Sequence, residues 1–244
     1  MNPARIGLAT SAKAGIAVVL VLLVVGGVYF APSLLTGGTS SASYQSSQTS
    51  VSSVAGDQGP ALLTLFGSFS QIQMQNSAYD NNEAFPLAEQ HTYSYIVLGK
   101  GTINSTQYTK VEFSQVGANG DIIAWFNPQG GVDRVDVVGV RNYTDPTAHI
   151  YAQVYVSAFS LLTGLASNAT LLSTLKQTSQ NTTSFGSTQL LVTTYSLTSP
   201  VAPYTSITVK FATLPGTNTK IAVYFDEKTT DGLESTYEVM SITK

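Results

Sequence analysis

Eighteen consecutive residues near the start of the chain, Ala14–Ala31 (AGIAVVLVLLVVGGVYFA), contain no charged side chain. Pro32, Ser33, Leu34 and Leu35 extend the run. About 20 apolar residues in a helix cross the ~30 Å hydrocarbon layer of a bilayer, so residues 14–35 are predicted to be a transmembrane helix. Tyr29 and Phe30 stand near its far end, where aromatic rings favour the membrane interface. Gly26 and Gly27 are poor residues for a soluble helix but are tolerated in lipid. A buried core helix is the alternative, but a continuous aliphatic run at a chain terminus, ahead of a polar tether, is hard to bury in any other way.

Charge sets the direction. Arg5 and Lys13 precede the run, and no charged residue follows until Asp57. The positive-inside rule then places residues 1–13 in the cytoplasm and the bulk of the chain outside, as a single-pass protein of the cell membrane. A cleaved signal peptide is the competing reading. Its apolar region would be about 7–15 residues, shorter than this one, and Ser41-Ala42-Ser43 is a weak cleavage candidate.

Residues 36–58 are more than half Ser and Thr as far as Gly56, with Gly37, Gly38 and Gly56 interspersed. Such a segment cannot form a core and is expected to be a flexible tether, with hydroxyls dense enough for an O-glycosylated stalk. Residues 59–244 are long enough for one well-packed domain. From Asp57 onward nine basic residues face 14 acidic ones, a net charge of −5. No basic stripe is visible, which argues against a nucleic-acid partner. Charged residues make up only 10% of the chain against about 25% in an ordinary soluble protein. The outer surface is therefore expected to rely on Ser, Thr, Asn, Gln and Tyr. With no cysteine, disulfides, thiolate metal sites, a Cys nucleophile and a lipidated cysteine are all excluded.

Within the domain, PALLTLFGSFSQIQMQ places Leu62, Leu65, Phe66, Phe69 and Ile72 at helical spacing and predicts an amphipathic helix. SAYDNNEAFPLAEQ reads as a loop. HTYSYIVLG, TQYTKVEFSQV, DIIAWFN and VDRVDVVGV are rich in β-branched and aromatic residues and predict a four-stranded antiparallel meander over about 91–141, with turns at Asn119-Gly120 and Gly130-Gly131. Asp145-Pro146 is a helix start. Ile150, Val154, Leu161 and Leu165 form one stripe, and Tyr151, Tyr155, Phe159 and Leu162 a neighbouring one. Together they predict a helix buried over a wide face, and Asn168 is placed to cap a short second helix, ATLLSTLKQ. QLLVTTYSL, SITVKFAT, KIAVYFDE and STYEVMSIT predict a second meander. The fold class is α+β: a curved antiparallel sheet of about 8 strands with helices on one side.

Chemistry-bearing motifs are few. Asn104, Asn142, Asn168 and Asn181 head N-glycosylation sequons. His91 has Glu89 and Glu83 nearby in sequence, too little convergence for a metal or acid–base site. Asp133 and Asp136 differ by an odd number and should face opposite sides of a regular strand. Asp226 and Glu227 beside Lys228 read as a solvated strand end. There is no GxSxG elbow and no phosphate-cradling glycine loop, so no catalytic, metal or cofactor residue is assigned.

In element order, residues 60–244 resemble the LolA/LppX-like lipoprotein-carrier fold, through the opening amphipathic helix and the helical insert from Asp145 to Gln177. That resemblance implies a half-barrel closed by helices around a cavity for acyl chains, with no binding residue transferable by position. Lys13-Ala14-Gly15-Ile16 ahead of the apolar run is similar to archaeal class III, prepilin-like signals, which implies an archaeal cell surface. The expectation is a non-enzymatic, anchored domain binding an apolar ligand such as a lipid, with Tyr151, Tyr155, Phe159, Leu162 and Trp125 as candidate cavity lining. The alternative is a structural or adhesive surface protein or filament subunit.

Overall fold

A computed structural model describes residues 58–80, 87–117, 121–138, 146–197, 200, 204–230 and 232–244, without the side chains of 80, 87–89, 146–151 and 170. The apolar run 14–35, and the tether as far as Asp57, lie outside the described residues. Among those described, no helix is long and apolar enough to cross a membrane.

Among the described residues the architecture is α+β: one ten-stranded antiparallel sheet with three helices. Helix α1 (Gly59–Ser68) leads into β1 (Gln71–Asp80), β2 (Leu87–Ile103), β3 (Thr106–Gln115), β4 (Ile122–Phe126) and β5 (Val132–Val137). Helices α2 (Pro146–Ser167) and α3 (Ala169–Thr174) follow. Then come β6 (Leu175–Phe185), β7 (Thr188–Leu197), β8 (Tyr204–Thr213), β9 (Lys220–Thr229) and β10 (Leu233–Thr243). The strand order is β5-β4-β3-β2-β1-β10-β9-β8-β7-β6. The chain therefore enters the sheet at its centre and steps outward to β5. The α2–α3 insert carries it to the opposite edge, and it steps back inward until β10 pairs with β1.

The stretch 77–90, read as a loop, supplies the end of β1 and the start of β2, and two further boundaries differ from the sequence reading. The opening helix stops at Ser68, and Phe69 is extended (φ −138°, ψ 129°). Phe69 and Ile72 fit a helical period, yet Ile72 and Met74 also alternate with Gln71, Gln73 and Gln75, and this period of two decides the conformation from Gln71 onward. The second difference is β6, read partly as the end of a helix and otherwise left unassigned. Its sequence, LKQTSQNTTSF, carries no apolar alternation because residues 176–182 are exposed on both faces at the sheet edge. β1 and β6 account for ten strands where about 8 were expected.

The β1–β5 limb is packed against α1 and α2 by aromatic rings. Phe66 stands edge-on to Tyr95 at 5.0 Å and to Phe126 at 5.0 Å, Phe159 to Tyr95 at 5.1 Å, and Phe113 stacks on Tyr155 at 6.3 Å. Burying a side chain of this size contributes about 1.5–3 kcal/mol. The close fit of α1 depends on glycine: a Cβ on Gly59 would lie 2.7 Å from the Gly130 carbonyl oxygen in the β4–β5 turn. Gly130 itself takes φ +87°, a left-handed conformation that favours glycine. Asn127 holds this turn, its Oδ1 accepting from the N–H groups of Gln129 (3.0 Å) and Gly131 (2.9 Å).

The β6–β10 limb curls much further. β6 and β7 lie four and three places from β10 in the sheet order, yet their tip meets its end: Thr188 Oγ1 donates to the Ile242 carbonyl at 3.0 Å, and both residues are buried. The limb is thus drawn together at the end carrying Phe185, Thr188 and Ile242. At its opposite end lie the starts of β6, β8 and β10 and the ends of β7 and β9.

Candidate functional site

The residues singled out in the sequence divide between two faces of the sheet. Tyr155, Phe159 and Leu162 lie at 2% exposure or less on α2, against Tyr93, Tyr95 and Phe113. Their side chains fill the space between helix and sheet. Tyr151 lies on the same helix, but its side chain is outside the description. Trp125 does not join them. It pairs across the sheet with Lys110 and Arg134, so the three share the outer face, while its neighbours Ala124 and Phe126 are buried on the inner one. Lys110 Nζ and the Arg134 guanidinium lie 5.5 and 4.8 Å from the Trp125 ring centre, and the indole N–H donates to Asp136 at 2.8 Å.

Asp133 and Asp136 belong to that same outer network. The Tyr108 hydroxyl donates to Asp133 at 2.9 Å, and the Tyr108 and Trp125 rings are 6.2 Å apart. A register shift between Trp125 and Phe126, opposite β5, breaks the alternation that would have separated the two carboxylates. Both are held by aromatic donors, so they form a structural latch and not an acid–base pair. The His91 ring nitrogen Nδ1 and the Gln115 amide nitrogen are 3.1 Å apart. Among the described residues, no three His, Cys, Asp or Glu side chains could hold a metal ion.

The sequons differ in setting. Asn104 and Ser105 form the exposed two-residue tip of the β2–β3 hairpin, with φ +46° and +67°. Asn181 is exposed on the edge strand β6. Asn168 is half-buried and accepts from Leu171 N–H at 3.0 Å as the N-cap of α3. Asn142 lies outside the described residues.

The sequence reading missed the open end of the β6–β10 limb. Two rows of cross-strand neighbours run there on the face that carries α2. One is Gln177, Tyr195, Val209, Phe225, Tyr237, Asn76 and His91. The next, nearer the open end, is Ile207, Glu227, Ser235 and Ala78. Leu197, paired with Leu175, continues this second row one step past the β7–β8 pair of Ser196 with Thr208. Leu171 and Leu172 on α3, with Leu175, Tyr195, Leu197 and Tyr204, are partly buried against the edge of the core. They form an apolar rim that the packed interior does not complete.

Glu227 stands among these residues at 3% exposure. No described group donates a hydrogen bond to its carboxyl. Burial, and then the charge of Asp226, push its pKa up from 4.5 to about 7. The Tyr204 hydroxyl is raised to about 12, first by its own burial and then by the Glu227 charge, which places the two groups in electrostatic reach. Lys228, the next residue, points away and pairs with Glu234 at 2.8 Å. In the neighbouring row the Tyr237 hydroxyl is buried, with no hydrogen-bond partner among the described residues. A sequence signal for Glu227 did exist: it stands two residues past Phe225 and so shares its inward register.

Fold and site together define a curled-sheet domain with a core packed along both limbs and, at one end of the β6–β10 limb, partly buried apolar side chains beside a buried acid. No family model matches the chain, and no curated protein matches it. Solved structures with partial likeness include the Pseudomonas aeruginosa MucA/MucB complex (10% identity, TM-score 0.31, covering 79% of this chain and 56% of that one). Others are a LolA superfamily protein from Nitrosomonas europaea (7% identity, TM-score 0.20, 80% and 93%) and a DUF1329 family protein from Desulfovibrio piger (7% identity, TM-score 0.21, 80% and 93%). This chain thus spans little more than half the length of the MucA/MucB match. At these scores the functional reading stands on the chain's own residues.

Proposed function

We propose that the chain is a membrane-anchored, extracytoplasmic and non-enzymatic binding protein whose domain takes a ligand with an apolar body, such as a lipid, at the open end of the β6–β10 limb. The observation that carries this reading is the cluster of partly buried apolar side chains, Leu171, Leu172, Leu175, Tyr195, Leu197 and Tyr204, beside the buried Glu227 at one end of the β6–β10 limb. A concave apolar surface with a few polar groups is the usual form of a small-molecule site. The uncharged run 14–35 and the basic residues ahead of it support anchoring with the domain outside. The test is mass spectrometry of lipids retained by the full chain in nanodiscs, beside Leu197→Asp and empty discs. Enrichment of one lipid class on the wild type, lost in the variant, is the expected result. Identical lipid profiles for all three contradict the reading.

A second reading, a structural surface protein or filament subunit, is favoured by β6 alone. An eleven-residue edge strand with little charge offers an open ladder to another chain. Filaments on the cell surface that vanish when residues 14–35 are deleted would support it over the first.

A further inference from the structure

Phe225 and Glu227 follow one another on the inner face of β9, opposite Val209 and Ile207, and both are buried. One is apolar and the other is an acid. A carboxyl withdrawn from water is ordinarily matched by a basic side chain or several hydrogen bonds, because burying it unmatched is costly. Glu227 has neither among the described residues. Its direct cross-strand neighbours, Ile207 and Ser235, bring no charge. The charged groups on its own strand are Asp226, which repels it, and Lys228, which is engaged with Glu234. Tyr204 adds a hydroxyl at the rim. Among the described residues Glu227 is thus a largely buried carboxyl with no basic partner and no hydrogen-bond donor, beside a strip of partly buried apolar side chains.

Resting on the binding reading above, we propose that Glu227 is the polar anchor of that site and selects an amphiphile with an ammonium head, whose apolar body lies along Ile207, Leu197, Leu175 and Tyr195. An ammonium supplies both the charge and the N–H donors that the carboxyl lacks, and a charge-assisted hydrogen bond of this kind is the strong sort. A carboxylate head is repelled, and a hydroxyl head supplies a donor without the charge.

The test uses the full chain in nanodiscs, with empty discs as the blank, titrated calorimetrically with n-octylamine, n-octanol and octanoate. The wild type is expected to bind octylamine about tenfold or more tighter than octanol, and octanoate weakest. Glu227→Gln, isosteric and uncharged, is expected to lose the octylamine preference over octanol and to gain octanoate. Octylamine affinity unchanged in Glu227→Gln, with octanol still bound, overturns the anchor and leaves the apolar site standing. Failure of all three probes to bind wild type and variant above empty discs overturns the anchor and the binding reading together. A thermal melt of Glu227→Gln at or above the wild-type midpoint shows that a lost preference is not lost folding.

Discussion

At Glu227 the folded chain holds a proton more tightly than the unfolded chain does. Its pKa is about 7 when folded, against 4.5 for the free side chain. Between those values the native state binds more protons than the unfolded state, so stability falls as pH rises through that window. The shift corresponds to about 3 kcal/mol, present as added stability below pH 4.5 and gone above pH 7. Chemical denaturation of the full chain at pH 4.5 and pH 8 is expected to show that loss, and Glu227→Gln to flatten the dependence. The same pH slope in the variant would show that the carboxyl is not the source. On the outer face, a Cβ at Gly101 would lie 2.6 Å from Trp125 Cζ3. Gly101→Val is therefore expected to cost about 1–3 kcal/mol while leaving ligand binding unchanged, because that ring lies across the sheet from the open limb. Glycopeptide mass spectrometry is expected to find Asn104 and Asn181 occupied ahead of Asn168, whose side chain already caps a helix. Preferential occupancy of Asn168 would contradict that ranking.

Among the elements, α2 packs across both limbs, against β3, β4 and β5 on one and β9 on the other. Phe159 is fully buried and touches Tyr95 and Phe113, so Phe159→Ala is expected to destabilise the domain by about 3–5 kcal/mol in urea titrations. A loss under about 1 kcal/mol would mean the aromatic packing is looser than described. This helix was legible in the sequence because Tyr155, Phe159 and Leu162 recur at its period, and the β2–β5 meander because its strands are apolar and aromatic. The start of β1 was not, since Phe69 and Ile72 satisfy two periods at once. Nor was β6, whose polar residues carry no pattern because neither face is buried. Glu227 was passed over for a related reason. At the end of a strand and beside Lys228 it looks solvated, and only the pairing with Ile207 and Ser235 places it indoors.

For the whole molecule, the two limbs divide the work. The β1–β5 limb with α1 is a body of interlocked rings, and α2 bridges it to β9. The β6–β10 limb is drawn together at Thr188 and Ile242 and left open where Leu197, Tyr204 and Glu227 gather. This division could not be read from the sequence, because it depends on how far one half of a continuous sheet curls. The run 14–35 belongs to this scale too, as the feature that would keep an open apolar rim close to the membrane supplying its ligand. The most direct measurement is hydrogen exchange on the full chain in nanodiscs, with and without n-octylamine, read peptide by peptide. Slower exchange at the ends of β7 and β9 and the start of β8, with α1 and β2–β5 unchanged, is the expected result. Protection confined to α2 and the β2–β4 strands, or none anywhere, would place the ligand elsewhere or nowhere and contradict binding at the open limb.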